Sequence, residues 1–229
     1  MTTQNQIENT NIANAGANSN ITSMTGLNGT LQAPTGVASS TGALAFTFSY
    51  VVSAVNYIGV SNNTTGNTPF LSASGTDTNI QLQLTGKGTG GVLAQGTSTN
   101  NNAPGGYIGE FISSVIASAS HVTFSGGLAH DLTSISLTAG DWDVWGNITY
   151  DTVGAGTSII LGWISTTSAT FPDASLYTAI TATVGSGSGI TVPMRRISIA
   201  ATTTVYITGY LQTANSSTAC GGIYARRAR

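Results

Sequence analysis

The sequence contains very few charged side chains for its length. Its 229 residues include six Lys and Arg and eight Asp and Glu, whereas an ordinary globular domain is about a quarter charged. Residues 1–104 contain only Glu8, Asp77 and Lys87. A surface this neutral is poorly protected against association. We therefore expect a chain that assembles with copies of itself, which is more typical of a structural or adhesive protein than of a small-molecule enzyme.

Cysteine and histidine are also scarce. The single cysteine, Cys220, excludes an internal disulfide framework and a cysteine-rich zinc site. The two histidines, His121 and His130, have no second clustered carboxylate near them in the sequence and so indicate at most a weak metal site. We expect no cofactor and no metal.

The charge balance and the hydrophobic runs exclude two further classes of partner. A net charge of −2 argues against a general nucleic-acid-binding surface. The uncharged run from Ala43 to Val60 is close to membrane-spanning length, but it contains Thr47, Ser49 and Asn56, and its apolar residues partly alternate. We predict a pair of strands there and no membrane insertion.

The few arginines form two small groups. Arg226, Arg227 and Arg229 lie at the C-terminus, where we predict either a solvated tail or salt-bridge donors to another subunit. Arg195 and Arg196 are consecutive and therefore fall on opposite faces of a strand. They suit a salt bridge between subunits or an acidic polysaccharide.

The N-terminal part is polar and low in large hydrophobes. Residues 1–40 cannot form a core of their own, and we predict an extended arm that orders against a partner. Residues 41–95 read as a slender β shaft, with strands at Leu44–Tyr50 and Ile80–Leu84. Gly86–Gly91 lacks the ending and the following helix of a phosphate-binding loop, so we predict a tight turn. Residues 96–106 are a linker of Thr, Ser, Asn, Gly and Pro.

Residues 107–229 have a regular β pattern. Short apolar runs are separated by Gly, Pro, Asp and Ser, as in an all-β sandwich or jelly roll. The predicted strands are Ile108–Ile116, His121–Phe124, Ile135–Leu137, Trp142–Tyr150, Ile159–Ile164, Leu176–Val184, Met194–Ile199, Val205–Leu211 and Ala219–Tyr224. The fold class is therefore all-β, with a C-terminal β-sandwich as its largest part.

One of these strands carries an aromatic side chain on its outer face. Trp142, Val144, Ile148 and Tyr150 alternate and form a core row. Trp145 then points outward among polar neighbours, and exposed aromatics with polar rims mark contact sites. It can anchor a subunit interface or serve as a platform for stacking a sugar.

Two carboxylates share the face of Trp145. Asp141 and Asp143 are two residues apart on a strand, which places their side chains about 7 Å apart. Glycoside hydrolysis needs two carboxylates at about 5–10 Å, and such a pair can also bind calcium. We favour a solvated strand edge or a charge pair at a trimer contact over these roles, and we expect no enzymatic activity.

Three segments resemble parts of fibre proteins of tailed bacteriophages. The first is Ala17–Leu27, and the second is Thr64–Val92, which resembles a fibre-shaft element. The third runs from Tyr107–Phe111 through Asp141–Gly146 to Cys220–Arg227 and resembles the terminal head domain of such fibres. Together the three segments span most of the sequence.

The resemblance implies a parallel homotrimer located in the virion. Its N-terminal arm would bind other virion proteins, and its head would bind a host-surface polysaccharide or protein receptor. Tail fibres and capsid-bound head fibres or decoration proteins share these parts, so the site of attachment stays open. A carbohydrate-binding lectin or a small hydrolase is the more distant alternative.

Candidate residues follow for each of these roles. The expected trimer-interface residues are Tyr107, Phe111, Ile112 and Trp145. The candidate receptor surface consists of two glycine-rich loops, represented by Gly154 and Thr157 and by Gly185 and Gly189. The candidate virion-anchoring residues are the apolar side chains of the arm, Ile7, Ile12, Ile21 and Leu27.

Overall fold

The structure is a computed structural model of the 229-residue chain. It describes residues 51–152, 159–181, 185–212 and 216–229, together with the backbone of two short strands near residue 40. The chain divides into two compact units, Met1–Ala94 and Gln95–Arg229. The finer division into arm, shaft, linker and head stays a prediction.

The described part of the first unit contains four strands in two antiparallel pairs. Strands β1 (Val37–Ala38) and β2 (Leu44–Phe46) form one pair, and β3 (Asn56–Ser61) and β4 (Phe70–Gly75) form the other. The predicted tight turn is confirmed, because Gly90 N donates to Lys87 O at 3.1 Å.

The strand predicted at Ile80–Leu84 is wrong. These residues have no strand conformation, and Leu82 and Leu84 are exposed. Alternation of apolar residues marks one-sided burial only when a neighbouring strand completes the sheet. No described strand pairs with this segment, so the pattern alone does not produce one.

The β3–β4 hairpin leaves its apolar side chains in solvent on both faces. Val60 is 80% exposed, and the other large hydrophobes of the hairpin are also exposed, namely Tyr57, Ile58, Phe70 and Leu71. A two-stranded hairpin alone is at best marginally stable in water. Within the described residues, this hairpin does not bury its own apolar surface.

The described part of the second unit contains nine strands. They are β5 (Phe111–Ile116), β6 (Val122–Phe124), β7 (Ala129–Leu137), β8 (Gly140–Thr152), β9 (Ile159–Ser165), β10 (Tyr177–Thr181), β11 (Ser188–Ile199), β12 (Thr203–Leu211) and β13 (Ser217–Arg227). Each predicted run overlaps one of them, and the all-β prediction is confirmed. A 3-10 turn, Ala174–Leu176, precedes β10. No helix in the described ranges is long and apolar enough to cross a bilayer.

The nine strands form two antiparallel sheets. One has the order β10-β9-β12-β7, and the other has the order β11-β8-β13-β5, with β6 also pairing with β13. From β6 to β13 the chain changes sheet at every step except from β9 to β10. This order is that of a double-sheet jelly roll of eight strands, which agrees with the predicted β-sandwich.

The core lies between the two sheets and is complete within one chain. Trp142, Val144, Ile148 and Tyr150 of β8 are fully buried, which confirms the predicted core row. A side chain at Gly146 would meet the backbone of Gly222 and the side chain of Ile207. The glycine therefore allows large side chains of the opposite sheet to pack against β8.

Arg227 corrects the prediction of a solvated C-terminal tail. Its side chain is 5% exposed, and its Nε donates to Glu110 Oε2 at 2.9 Å. Its guanidinium also donates to Ala139 O and stacks over Trp142, 4.3 Å from the ring centre. The sequence pattern missed this position because Glu110 and Trp142 come from distant parts of the chain.

The Glu110 carboxylate is held in its charged form. A hydrogen bond from the Gly106 backbone N–H lowers the pKa of Glu110, and the guanidinium of Arg227 lowers this pKa further. Arg227 N also donates to Glu110 O at 2.9 Å. These contacts fix the C-terminal end of β13 to the segment that precedes β5.

Candidate functional site

The candidate site is the outer face of the sheet that contains β5, β8 and β13. Trp145 of β8 lies directly opposite Tyr224 of β13, and their ring centres are 6.0 Å apart. Phe111 of β5 lies 6.2 Å from Trp145 and 6.4 Å from Tyr224. These three side chains form one cluster on the surface away from the core, which we call the aromatic face.

Strand alternation explains why these rings share one face. Val144 and Ile148 point into the core, so Trp145 points out, as predicted. Its neighbours across the sheet, however, are aromatic. The polar residues adjoin it along β8, whereas the neighbouring strands supply Phe111 and Tyr224, and only the sheet register brings those strands together.

Val115 extends the apolar surface beyond the three rings. It lies on β5 at the same parity as Phe111 and is 57% exposed. Its partner on β13 is Gly222. Because Gly222 has no side chain, the Tyr224 hydroxyl lies close to the backbone there. The aromatic face thus has an exposed aliphatic edge.

The opposite sheet also has an outward-facing tryptophan, but this one is covered by the chain. Trp163 of β9 is fully buried, because Phe171 from the segment after β9 stacks on it with ring centres 5.2 Å apart. Phe171 in turn packs edge-on against Tyr210. The chain therefore covers the outer aromatic of one sheet itself, whereas Trp145 remains partly exposed.

The sequence pattern predicts part of the aromatic face. Phe111 and Trp145 lie on it, and Tyr107 lies in an exposed turn before β5. Ile112 is a correction, because it packs against the core of its own chain on the side of β5 opposite Phe111. Tyr224 was missed, although its alternation with the buried Ile223 and Ala225 marks it as outward-facing.

The predicted receptor loops and anchor residues are placed only in part. Gly185 lies in an exposed turn, but Gly189 belongs to β11 and pairs with Thr149, so it is a strand residue rather than a loop residue. Gly154 and Thr157 lie outside the described residues. The anchor candidates Ile7, Ile12, Ile21 and Leu27 also lie outside them.

The carboxylate pair on β8 is engaged by arginines of the same chain. Asp141 Oδ1 accepts from Arg196 Nε at 2.7 Å, and Asp141 Oδ2 lies 2.9 Å from Arg229 Nε. The hydrogen bond from Arg196 lowers the pKa of Asp141. With both oxygens of Asp141 paired to arginine, Asp141 and Asp143 do not form an open acid–base or calcium pair.

The structure also corrects the predicted role of Arg195 and Arg196 in a salt bridge between subunits. Arg195 Nη1 donates to the Ile164 backbone oxygen at 3.0 Å, and Arg196 is the partner of Asp141 just described. Both arginines therefore bond within one chain instead of being reserved for another subunit. Their partners lie on strands that the sequence separates widely, so spacing alone gives no sign of them.

His130 and Asp131 have structural roles. The Nε2 atom of His130 accepts a hydrogen bond from Ser125 N at 3.0 Å. Asp131 Oδ1 accepts from Thr208 Oγ1 and Ala169 N, and its Oδ2 accepts from Ser168 Oγ. These bonds fix β7 to neighbouring segments and leave the Asp131 oxygens occupied.

No protein-family model and no curated sequence matches the chain. Among the solved structures that match are those of the Gx strain of infectious bursal disease virus and of the VP2 subviral particle of that virus. Each is 16% identical with a TM-score of 0.35, and the match covers 60% of this chain and 37% of that chain.

A third match comes from the Gt strain of the same virus. It is also 16% identical, with a TM-score of 0.36, and it covers 70% of this chain and 41% of that chain. The chain thus spans about two fifths of the length of the chains that it matches. The jelly-roll architecture of the second unit follows from its strand order.

Proposed function

We propose that this chain is a structural protein of a virus particle. Specifically, it is a homotrimeric fibre of the tailed-bacteriophage type that attaches the particle to the host surface through its C-terminal unit. Jelly rolls of this strand order occur in viral capsid proteins and in lectin domains, which is consistent with a virion or binding role. The three segments that resemble phage fibres supply the more specific part of the proposal.

The observation that carries the proposal is the aromatic face, which remains partly exposed among the described residues. Aromatic side chains are enriched where protein surfaces meet, and the chain buries the equivalent tryptophan of its other sheet, Trp163, under Phe171. A second copy of this chain is the occupant that we propose for the face of Phe111, Trp145 and Tyr224. The low charge of the sequence favours such self-association.

The first unit supports the same conclusion independently. Its β3–β4 hairpin exposes apolar side chains on both faces, and a hairpin of this kind needs further strands or another surface for stability. Equivalent hairpins from three parallel copies can supply that surface. Assembly would also cover strand edges that otherwise promote uncontrolled association.

The proposed mechanism is adhesion without turnover. Three identical heads on one stalk bind repeated surface groups with an effective concentration that a single head lacks. Each copy contacts the next through two different surface patches, and a three-fold axis relates the copies. The ring therefore closes, and growth stops at three. In the carboxylate pair best suited to hydrolysis, Asp141 is already paired with Arg196 and Arg229, in keeping with a binding role.

Immunogold electron microscopy tests the virion role. Antibodies raised against the full chain are applied to virus particles from the culture in which the chain is made. We expect gold at the outer end of projections from the particle, on the tail for a tail fibre or on the capsid for a head fibre. Particles that contain no chain by labelling and by mass spectrometry would refute the virion role.

A further inference from the structure

Three side chains that typically bind metals meet at one end of the sheet that contains the aromatic face. They are His121, just before β6, Asp151, near the end of β8, and Cys220, in β13. One ligand atom of each lies within 4.8 Å of the others. They differ in donor type, offering an imidazole nitrogen, a carboxylate oxygen and a sulfur.

Sheet register explains this convergence. Strand β13 pairs with β8 along one edge and with β6 along the other, so Cys220 lies between β8, which carries Asp151, and the start of β6, which His121 directly precedes. Ala219 points into the core, which turns Cys220 to the outer face. The three side chains therefore approach one another on that face.

A bulge in β8 places Asp151 at this point. Thr152 pairs with Thr218 and Tyr150 pairs with Ala219, which leaves Asp151 without an opposite residue. Bulges of this kind redirect a side chain and occur often beside functional sites. On the other strand, Gly221 has φ +136°, and a side chain there would collide with the Asn147 backbone, so the local backbone of β13 requires glycine next to Cys220.

The Asp151 carboxylate is only partly satisfied within the chain. Its Oδ2 atom is buried and makes no hydrogen bond, although it is in ion-pair contact with His121 Nε2. The Cys220 sulfur lies within 4.8 Å of a ligand oxygen of the same carboxylate. Burial of a carboxylate oxygen costs free energy unless a donor or a positive charge faces it. His121 faces this oxygen from one side, and a bound cation would add to that compensation.

We propose that His121, Asp151 and Cys220 form a zinc-binding site. Zn²⁺ binds thiolate, imidazole and carboxylate ligands, and three protein ligands with water in the fourth position are a common arrangement. The sulfur donor favours Zn²⁺ over the hard cations Mg²⁺ and Ca²⁺. On binding, Cys220 coordinates as a thiolate, and its proton passes to solvent. The site departs from our expectation that the chain has no metal, and it is independent of the fibre proposal.

Cobalt substitution tests the site directly. Metal-free, untagged full chain is titrated with Co²⁺ and then with Zn²⁺. We expect one equivalent of Co²⁺ to give a sulfur-to-cobalt charge-transfer band that Zn²⁺ removes. Cys220→Ser should abolish the band. Cys220→Ser and His121→Ala should each weaken Zn²⁺ binding by about 100-fold. Loss of a residue that only hydrogen-bonds to a metal ligand already weakens binding by up to about 100-fold.

A matched control and a second measurement keep the test decisive. Asp143→Asn removes a carboxylate of the same sheet outside the cluster and should leave Zn²⁺ affinity unchanged. If Cys220→Ser does not fold, the rate at which iodoacetamide alkylates Cys220 in the unmodified chain is measured instead. Because the chain has a single cysteine, this rate reports on Cys220 alone. Zn²⁺ should sharply slow alkylation, whereas Mg²⁺ should not. Absence of the cobalt band together with an alkylation rate insensitive to Zn²⁺ would overturn the proposal and leave only a His121–Asp151 ion pair.

Discussion

Replacement of Arg227 by Leu should lower the free energy of unfolding of the C-terminal unit by about 3–5 kcal/mol, the range found when one partner of a buried ion pair is removed. Arg227 is almost fully buried, bonds to Glu110 and Ala139, and stacks over Trp142. Leucine fills part of the volume but leaves the Glu110 carboxylate without its cation. Denaturant unfolding of variant and parent at one chain concentration measures the difference.

The neighbouring arginine provides a matched control. Arg226 is exposed, so Arg226→Leu makes the same chemical change at the adjacent residue, on the outer surface of β13. We expect a change below about 1 kcal/mol, as for surface charges in general. Equal losses for the two variants would show that Arg227 does not hold the C-terminus in the way that its contacts indicate.

Replacement of Trp145 by Lys should convert the assembled protein into folded single chains. Trp145 lies between Phe111 and Tyr224 on the only sheet face where a described tryptophan remains partly exposed. Loss of a central aromatic anchor costs about 2–4 kcal/mol of association free energy at each contact, and a trimer repeats the contact three times. Sedimentation velocity measures the assembly, and circular dichroism verifies that the β fold is retained.

Phe171→Lys is the control for the trimer contact. Phe171 is a partly exposed aromatic that covers Trp163 on the opposite sheet, so the substitution alters a similar surface that our account does not place between subunits. It should reduce stability but leave the number of chains per particle unchanged. If Phe171→Lys dissociates while Trp145→Lys stays assembled, the interface lies on the other sheet.

The strands of the C-terminal unit were predictable because local patterning determines them. The alternation of Trp142, Val144, Ile148 and Tyr150 reports burial directly, since one face of the strand must be apolar if it packs on a core. For the same reason the outward orientation of Trp145 could be read from sequence. What surrounds Trp145 could not, because Phe111 and Tyr224 reach it through strand order and register.

Most errors concern charged side chains and strand partners. Arg227 lies among terminal arginines that read as a solvated tail, and only the fold reveals its contact with Glu110. The run from Ile80 to Leu84 has the alternation of a strand but lacks a described neighbour to pair with. Asp141 reads as one half of a carboxylate pair, yet the folded chain supplies it with arginines from β11 and from the C-terminus.

The convergence of His121, Asp151 and Cys220 could not be read from the sequence at all. Metal sites are predictable when their ligands have characteristic spacings within short segments, and these three residues lie on separate strands. Their meeting depends on the pairing of β13 with both β6 and β8 and on the bulge at Asp151. Only the topology, therefore, makes Cys220 part of a candidate site.

The molecular mass of the full chain in solution is the most direct test of the account, because every functional proposal except the zinc site depends on assembly of identical copies. Light scattering coupled to gel filtration at micromolar concentration should give three times the 23.1 kDa chain mass. A sharp, cooperatively folded species with the mass of one chain across the accessible concentration range would contradict the account.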